Sequence, residues 1–183
     1  MEKILVRILK KLELVCKKSG VKLILIGGLA TGLWGRPRAT FDIDGLISLP
    51  KEKLKEFLFL LNKMGFKYSK VNPLKSIQGL SLLTLSYLKD KIYIDLFIAE
   101  NEFQKVIIKR AKKVNFQNLN LRIISAEDLI LVKLQSGRAR DIEDVRDILR
   151  ENIARLDFGY LKKWSQRLGV KVFLEDEIKS LGL

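Results

Sequence analysis

The apolar run Leu23 to Trp34 constrains this chain more than any other stretch. It is the longest such run, is preceded by Lys22, and is broken by Gly27, Gly28 and Gly32. Crossing a bilayer takes ~20 consecutive apolar residues, so the run reads as a short buried strand over 22–26. The strand ends in a glycine pair and passes into a small-residue helix through Trp34. No secretory leader precedes it, and the expectation is a cytoplasmic protein without a membrane partner.

The pattern predicts further elements on either side. Ile4, Leu5, Ile8, Leu9, Leu12, Val15 and Cys16 recur at helical spacing, so 2–18 is a helix stopped by Gly20. After the loop Gly35-Arg36-Pro37-Arg38, a strand is expected from about Phe41 to Leu49. Pro50 is expected to open a helix at its first turn, ending near Met64-Gly65. A strand over 66–70 follows, then a loop containing Pro73. Residues 80–88 and 91–99 form a hairpin turned at Lys89-Asp90-Lys91. Next come a helix over 101–112 and a smaller hairpin turning at Gln117-Asn118. Ser125-Ala126-Glu127-Asp128 is a capping-box signature for a helix stopped by Gly137. Helices around 140–151, 158–168 and 173–181 close the chain. The fold class this implies is α/β (α+β): a mixed β-sheet flanked by helices, with a helical C-terminal part. The expected division is a core over 1–124 with the N-terminal helix, and a helical region over 125–183 packed on it.

Composition narrows the chemistry. The 183 residues contain no histidine and one cysteine. This removes Ser-His and Cys-His triads, imidazole-dependent zinc sites and internal disulfides. Cys16 lies on the apolar side of its helix and reads as a small buried hydrophobe. Acid–base and metal work must fall to carboxylates and lysines. The net charge of +14 fits a polyanionic partner, nucleic acid above all. It equally fits a Lys-rich, heat-adapted proteome, and composition alone leaves both readings open.

Asp42 and Asp44 stand two apart on a strand, so their carboxylates leave one face. Such a pair arises by chance about once per hundred residues; Glu175 and Glu177 make another with no implied chemistry. Asp95 is different. After Lys91, it is the one charge in the otherwise apolar run 92–98, sharing a face with Tyr93 and Phe97. A half-buried carboxylate there requires compensation, from a Lys or Arg partner or from something else. Were it to lie beside Asp42 and Asp44, each pair at ~4 Å would repel by about 4 kcal/mol at an effective dielectric near 20. Hard oxygen ligands beside a phosphate select Mg²⁺. The glycine pair Gly27-Gly28 permits close approach of backbone N–H groups to a phosphate. It is neither a P-loop, since Leu33 stands where lysine is required, nor a dinucleotide fingerprint.

Gly27-Gly28, a gap, Asp42-x-Asp44 and a lone strand aspartate at Asp95 together resemble the nucleotidyltransferase superfamily with the DNA polymerase β-type fold. Lys133 followed by Arg140-Asp141-Ile142-Glu143-Asp144 resembles the branch containing abortive-infection type IV toxin nucleotidyltransferases and their uncharacterised relatives. The resemblance covers roughly 20–150 and implies transfer of a nucleoside monophosphate from a nucleoside triphosphate to an acceptor hydroxyl. It also implies the roles. Gly27 and Gly28 form the triphosphate-holding turn. Asp42, Asp44 and Asp95 are catalytic and bind two Mg²⁺ ions, with Mn²⁺ as a substitute, and Asp95 takes the acceptor proton. Thr31, Arg38, Thr40, Lys133, Asp141 and Asp144 belong to the nucleotide site, with Arg36 in the adjoining loop. The toxin-like branch implies tRNA or another RNA as acceptor and an antitoxin protein as partner. Gly45 departs from the apolar residue usual after the second aspartate; a looser strand and space for ligand are both open. Two rivals stand beside the enzyme: an inactive member of the fold that binds nucleic acid or protein, and a metal-dependent glycosyltransferase. The latter would leave Asp95 and Gly27-Gly28 without a role.

Overall fold

The computed structural model describes residues 2–37, 40, 42–77, 79–87 and 92–182, without the side chains of 2 and 77. Helix α1 (Glu2–Ser19) forms because its apolar residues fall on one face; Ile8, Leu9, Leu12, Val15 and Cys16 are all buried. The chain then enters β1 (Leu23–Leu25), α2 (Gly27–Trp34) and β2 (Ile43–Ile47). Pro50 does not open the next helix directly. It is extended, at φ −63° and ψ 143°, and caps a 3₁₀ turn at Lys51–Lys53 before α3 (Leu54–Lys63).

β3 is shorter than expected, Phe66–Lys67, and a strand β4 (Leu74–Ile77) occupies what reads as a Pro73 loop. The strand forms because the edge of β5 (Leu80–Tyr87) is available to pair with it, from Leu74↔Leu83 to Ile77↔Leu80. Partner availability overrides weak local propensity here. β6 (Ile92–Ile98) pairs antiparallel with β5. The expected turn residues Lys89, Asp90 and Lys91, and the strand start at Phe41, lie outside the described residues. α4 (Glu102–Arg110) opens on a complete Asn101/Gln104 capping box. β7 (Lys112–Phe116) and β8 (Leu119–Ile123) form the second hairpin, with Gln117 and Asn118 both at positive φ, 49° and 62°. That is the two-residue primed turn favoured in hairpins. α5 (Ala126–Ser136), α6 (Ala139–Asn152), α7 (Phe158–Arg167) and α8 (Lys171–Ser180) complete the chain.

Among the described residues the strands form one mixed sheet, ordered β3-β5-β6-β2-β1-β8-β7, with β4 also on β5. β2 runs antiparallel to β1 and parallel to β6. One sheet face enters the main core through Ile43, Ile47, Leu83, Leu85, Ile94 and Leu96, with Phe57 and Leu61 of α3 in the same cluster. α5 is buried around most of its circumference, including Glu127, Asp128 and Lys133. Its N-terminus is tied down by polar contacts. Ser125 caps it, Tyr160 donates to Asp128, and the Arg110 guanidinium lies 3.7 Å over the Tyr160 ring and 3.4 Å from Asp128. Trp34 Nε1 donates to the Ile124 carbonyl at 2.7 Å, and Asn152 donates to the Trp34 carbonyl, stitching α2 to α6. No described helix is long and apolar enough to cross a membrane.

Candidate active site

The parallel pairing of β2 with β6 sets Asp44 directly opposite Asp95. Residues opposite one another in a ladder share a face, so the two carboxylates stand side by side. Asp95 Oδ1 is buried and, among the described residues, has no hydrogen-bond partner. Asp44 is half-buried, and its carboxyl is raised above the ordinary range. Burial is the largest cause, and the neighbouring charges of Asp95 and Asp42 push the same way; the Gly28 N–H and the Arg138 charge oppose them. Asp42 stands exposed just before β2. Its charge is felt at Asp44, but among the described residues no three carboxylates close into a metal-sized cluster. The tight core of the arrangement is the Asp44–Asp95 pair, with Asp42 at its solvent side.

The glycine turn is built around Asp44. Gly27 has φ +60°, and a Cβ there would fall 2.0 Å from Asp44 Oδ2. A Cβ on Gly28 would fall 2.7 Å from Thr40 Oγ1. Both positions therefore exclude a side chain, and the Gly28 N–H binds the Asp44 carboxylate. The Asp44 carbonyl also accepts from the Ile26 N–H at 2.9 Å. Thr31 is turned inward: it is 1% exposed, and its hydroxyl donates to the Gly27 carbonyl at 3.0 Å. This is the one-turn back-bond typical of threonine in helices, and it braces the glycine turn from behind. Thr40 sits at the turn, its hydroxyl 3.3 Å from the Asp42 carbonyl. Arg38 lies outside the described residues. Arg36 pairs with Asp147 of α6 at 3.4 Å.

Gly45 packs between Leu23 and Leu96, whose side chains would lie 2.8 and 2.9 Å from an added Cβ. Of the two openings left by the sequence, neither a slack strand nor ligand space is found; the core fills the position.

Lys133 is 4% exposed, with Nζ 2.9 Å from Asp141 Oδ1 and 2.6 Å from Asp144 Oδ2. Its ammonium lies between two carboxylates. Asp141 Oδ2 accepts in addition from Ser136 Oγ and from Arg138 Nε, each at 2.6 Å. Burial alone would raise the Asp141 carboxyl, but the hydrogen bonds of Lys133, Ser136 and Arg138 and the Lys133 charge outweigh it and hold it at about 2.

Arg138 is the residue that sequence reasoning missed. Its side chain is 78% exposed, Asp141 orients it, and its charge reaches Asp44. In the sequence it is one basic residue among many. Its one signal is position, between the Gly137 helix stop and the Asp141 helix start.

A family described as "Nucleotidyltransferase of unknown function (DUF6036)" matches residues 3–179. Among solved structures, the antibiotic-resistance factor ANT(2″)-Ia superposes with a TM-score of 0.60 at 14% identity, covering 100% of this chain and 97% of that one. The lincosamide antibiotic adenylyltransferase LnuA gives a TM-score of 0.55 at 20% identity over 81% and 96%. An antigenic nucleotidyltransferase-like protein from Paracoccidioides brasiliensis gives 0.56 at 17% identity over 90% and 83%. At these identities the likeness establishes the fold. A search of curated protein sequences found no match.

Proposed function

We propose, for a chain that belongs to this family of nucleotidyltransferases, that Asp42, Asp44 and Asp95 support divalent-metal-dependent transfer of a nucleoside monophosphate from a nucleoside triphosphate to the hydroxyl of an RNA end. The observation that carries the reading is the Asp44–Asp95 pair, with a buried Asp95 oxygen that has no donor among the described residues. Leaving a buried polar group unsatisfied costs about 1–3 kcal/mol, and a second carboxylate alongside adds repulsion. Such an arrangement is retained where something outside the chain completes it. An inactive member of the fold would have no use for it.

The donor set is hard oxygen, which suits Mg²⁺, with Mn²⁺ as a substitute. Asp44 and Asp95 would hold the ion, and Asp42 would join from its exposed position. A bound divalent ion supplies charge neutralisation at the transferring phosphate and at the leaving oxygen. The chain supplies the rest. The side-chain-free turn at Gly27-Gly28 seats the Asp44 carboxylate against the start of α2, and the N–H groups of that helix end beyond Gly28 favour an anion such as the triphosphate. Arg138, held by Asp141, adds a cation on the Asp44 side. Lys133 acts one step back, fixing Asp141 and Asp144. In the transfer, the acceptor oxygen bonds to the α-phosphorus and its proton passes to Asp95. The bond from the α-phosphorus to the bridging oxygen breaks, and pyrophosphate leaves with the electron pair.

Two further observations support the choice of partners. ANT(2″)-Ia is known in complex with adenylyl-2″-tobramycin, which favours ATP as donor. The net charge of +14 suits a polyanionic acceptor such as RNA.

The test incubates the protein with each α-labelled NTP, Mg²⁺ and total RNA, alongside an RNA-free metabolite extract. Label on RNA, lost with chelator and in Asp44→Asn and Asp95→Asn, is the expected result. Undiminished transfer in either variant would end the reading.

A further inference from the structure

The glycine turn and Arg138 gather on one side of the aspartate pair; on the other side the sheet continues with a face that carries half-buried Thr84 and Ser86 and exposed Tyr93, Lys67 and Lys75. Registers define it. Thr84 stands opposite Asp95, Ser86 opposite Tyr93, Lys67 opposite Ser86, and Lys75 opposite Leu82. All share the face of Asp95. Tyr93 lies two residues along the strand from Asp95, a spacing of about 6.7 Å, and is 57% exposed although its neighbours Ile92 and Ile94 are buried. Lys67 and Lys75 project from the sheet's outer edge, two strands further out. Together with Tyr68, Asn72 and Ser86 these residues line an open cleft of about 270 Å³. Its lining contains two lysines and two tyrosines and, among the described residues, no carboxylate.

We infer that this face is the track of the acceptor: a single-stranded RNA end lies across it, one base stacked on Tyr93 and its phosphates at Lys67 and Lys75, with its terminal hydroxyl at Asp95. A positively charged groove interleaved with aromatic rings is how proteins hold single strands without reading sequence. An acidic peptide would use the lysines and leave the rings idle. A neutral small molecule would leave the lysines idle. The cleft is also smaller than the ~300–1,000 Å³ of a drug-sized pocket, whereas an open groove suits a strand that extends beyond it. The placement of the hydroxyl rests on the transfer reading above; the binding does not.

The experiment measures fluorescence anisotropy of a fluorescein-labelled, mixed-sequence oligoribonucleotide of about 12 nucleotides, within the site sizes usual for single-strand binders. Wild type is compared with Tyr93→Ala, Tyr93→Phe, Lys67→Glu/Lys75→Glu, and Lys10→Glu/Lys17→Glu on α1 as a control for overall charge. All these side chains are exposed, so the variants should fold. Tyr93→Ala should weaken binding at least ~5-fold while Tyr93→Phe does not, in keeping with the strength of base–aromatic stacking. Lys67→Glu/Lys75→Glu should weaken it at least tenfold and flatten the salt dependence by about 0.7 per lysine; the control should do much less. Binding unchanged in the Tyr93 and Lys67/Lys75 variants, or weakened equally by the α1 control, would overturn the inference. If label reaches RNA in the transfer assay yet these variants bind normally, transfer stands and this face is not the track. If RNA binding falls as expected but no label is transferred, the track stands without the chemistry.

Discussion

Replacing Lys133 with methionine separates a structural lysine from a nucleotide ligand. The Lys133, Asp141 and Asp144 side chains are only 5%, 7% and 8% exposed. The substitution leaves two buried carboxylates without the ammonium that faces both. Removing one partner of a buried ion pair typically costs about 3–5 kcal/mol. For a chain of this size each kcal/mol lowers Tm by about 2–4 °C, so thermal unfolding should shift down by roughly 6–20 °C. The loss should depend on pH. Asp141, held at about 2 in the native protein, stabilises the fold at pH above its unfolded value of ~3.9. That contribution fades as pH falls toward about 2, so the wild type's Tm lead should narrow across this window. The assay is circular dichroism melting at neutral and acid pH, with the triphosphate KM measured at a temperature where both proteins are folded. A Tm within ~2 °C of wild type, combined with a tenfold rise in KM, would refute the reasoning and return Lys133 to the triphosphate.

Asp95→Asn should lower turnover at least ~10²-fold while leaving Tm equal or higher, because it removes one of two adjacent like charges; a melting point well below wild type would contradict the repulsion argued for the pair. Mg²⁺ should raise the wild-type Tm, by an amount equivalent to about 2.7 kcal/mol at a hundredfold excess over Kd, and chelator should reverse it. An equal shift in Asp44→Asn would place the ion elsewhere. Gly45→Ala should destabilise by about 1–3 kcal/mol through overpacking against Leu23 and Leu96, read by denaturant titration, and an unchanged midpoint would show that the core yields there. Arg138→Ala should raise the triphosphate KM several-fold with little change in Tm, given its 78% exposure, whereas an unaltered KM would remove it from the site.

What could be read in advance follows from local periodicity. Ile43, Asp44 and the buried positions of β6 alternate with period two, so the face carrying Asp44 and that carrying Asp95 were each legible. Ser125 as a cap, Gly137 as a stop and the Gln117-Asn118 turn announce themselves through residue types suited to them. The mixed sheet flanked by helices follows from the order of these elements. What pairing supplies was not legible. No local pattern states that β2 joins β6 in parallel with Asp44 opposite Asp95, and none distinguishes β4 from a loop. The inward turn of Thr31, the enclosure of Lys133 and the orientation of Arg138 each depend on a partner distant in space or bonded in an unanticipated way. Gly45 shows the same limit: whether a missing side chain means slackness or crowding is decided by Leu23 and Leu96.

The two facing aspartates belong to strands separated along the chain by a helix and three other strands. Neither strand possesses the site alone, and slipping either by one position would send its carboxylate to the opposite side of the sheet. With the proposed site, enzymatic competence emerges only when this long-range docking is complete and in step. Turnover in a refolding experiment is consequently a clock for that single event, and a collapsed intermediate rich in helix but lacking it will be silent.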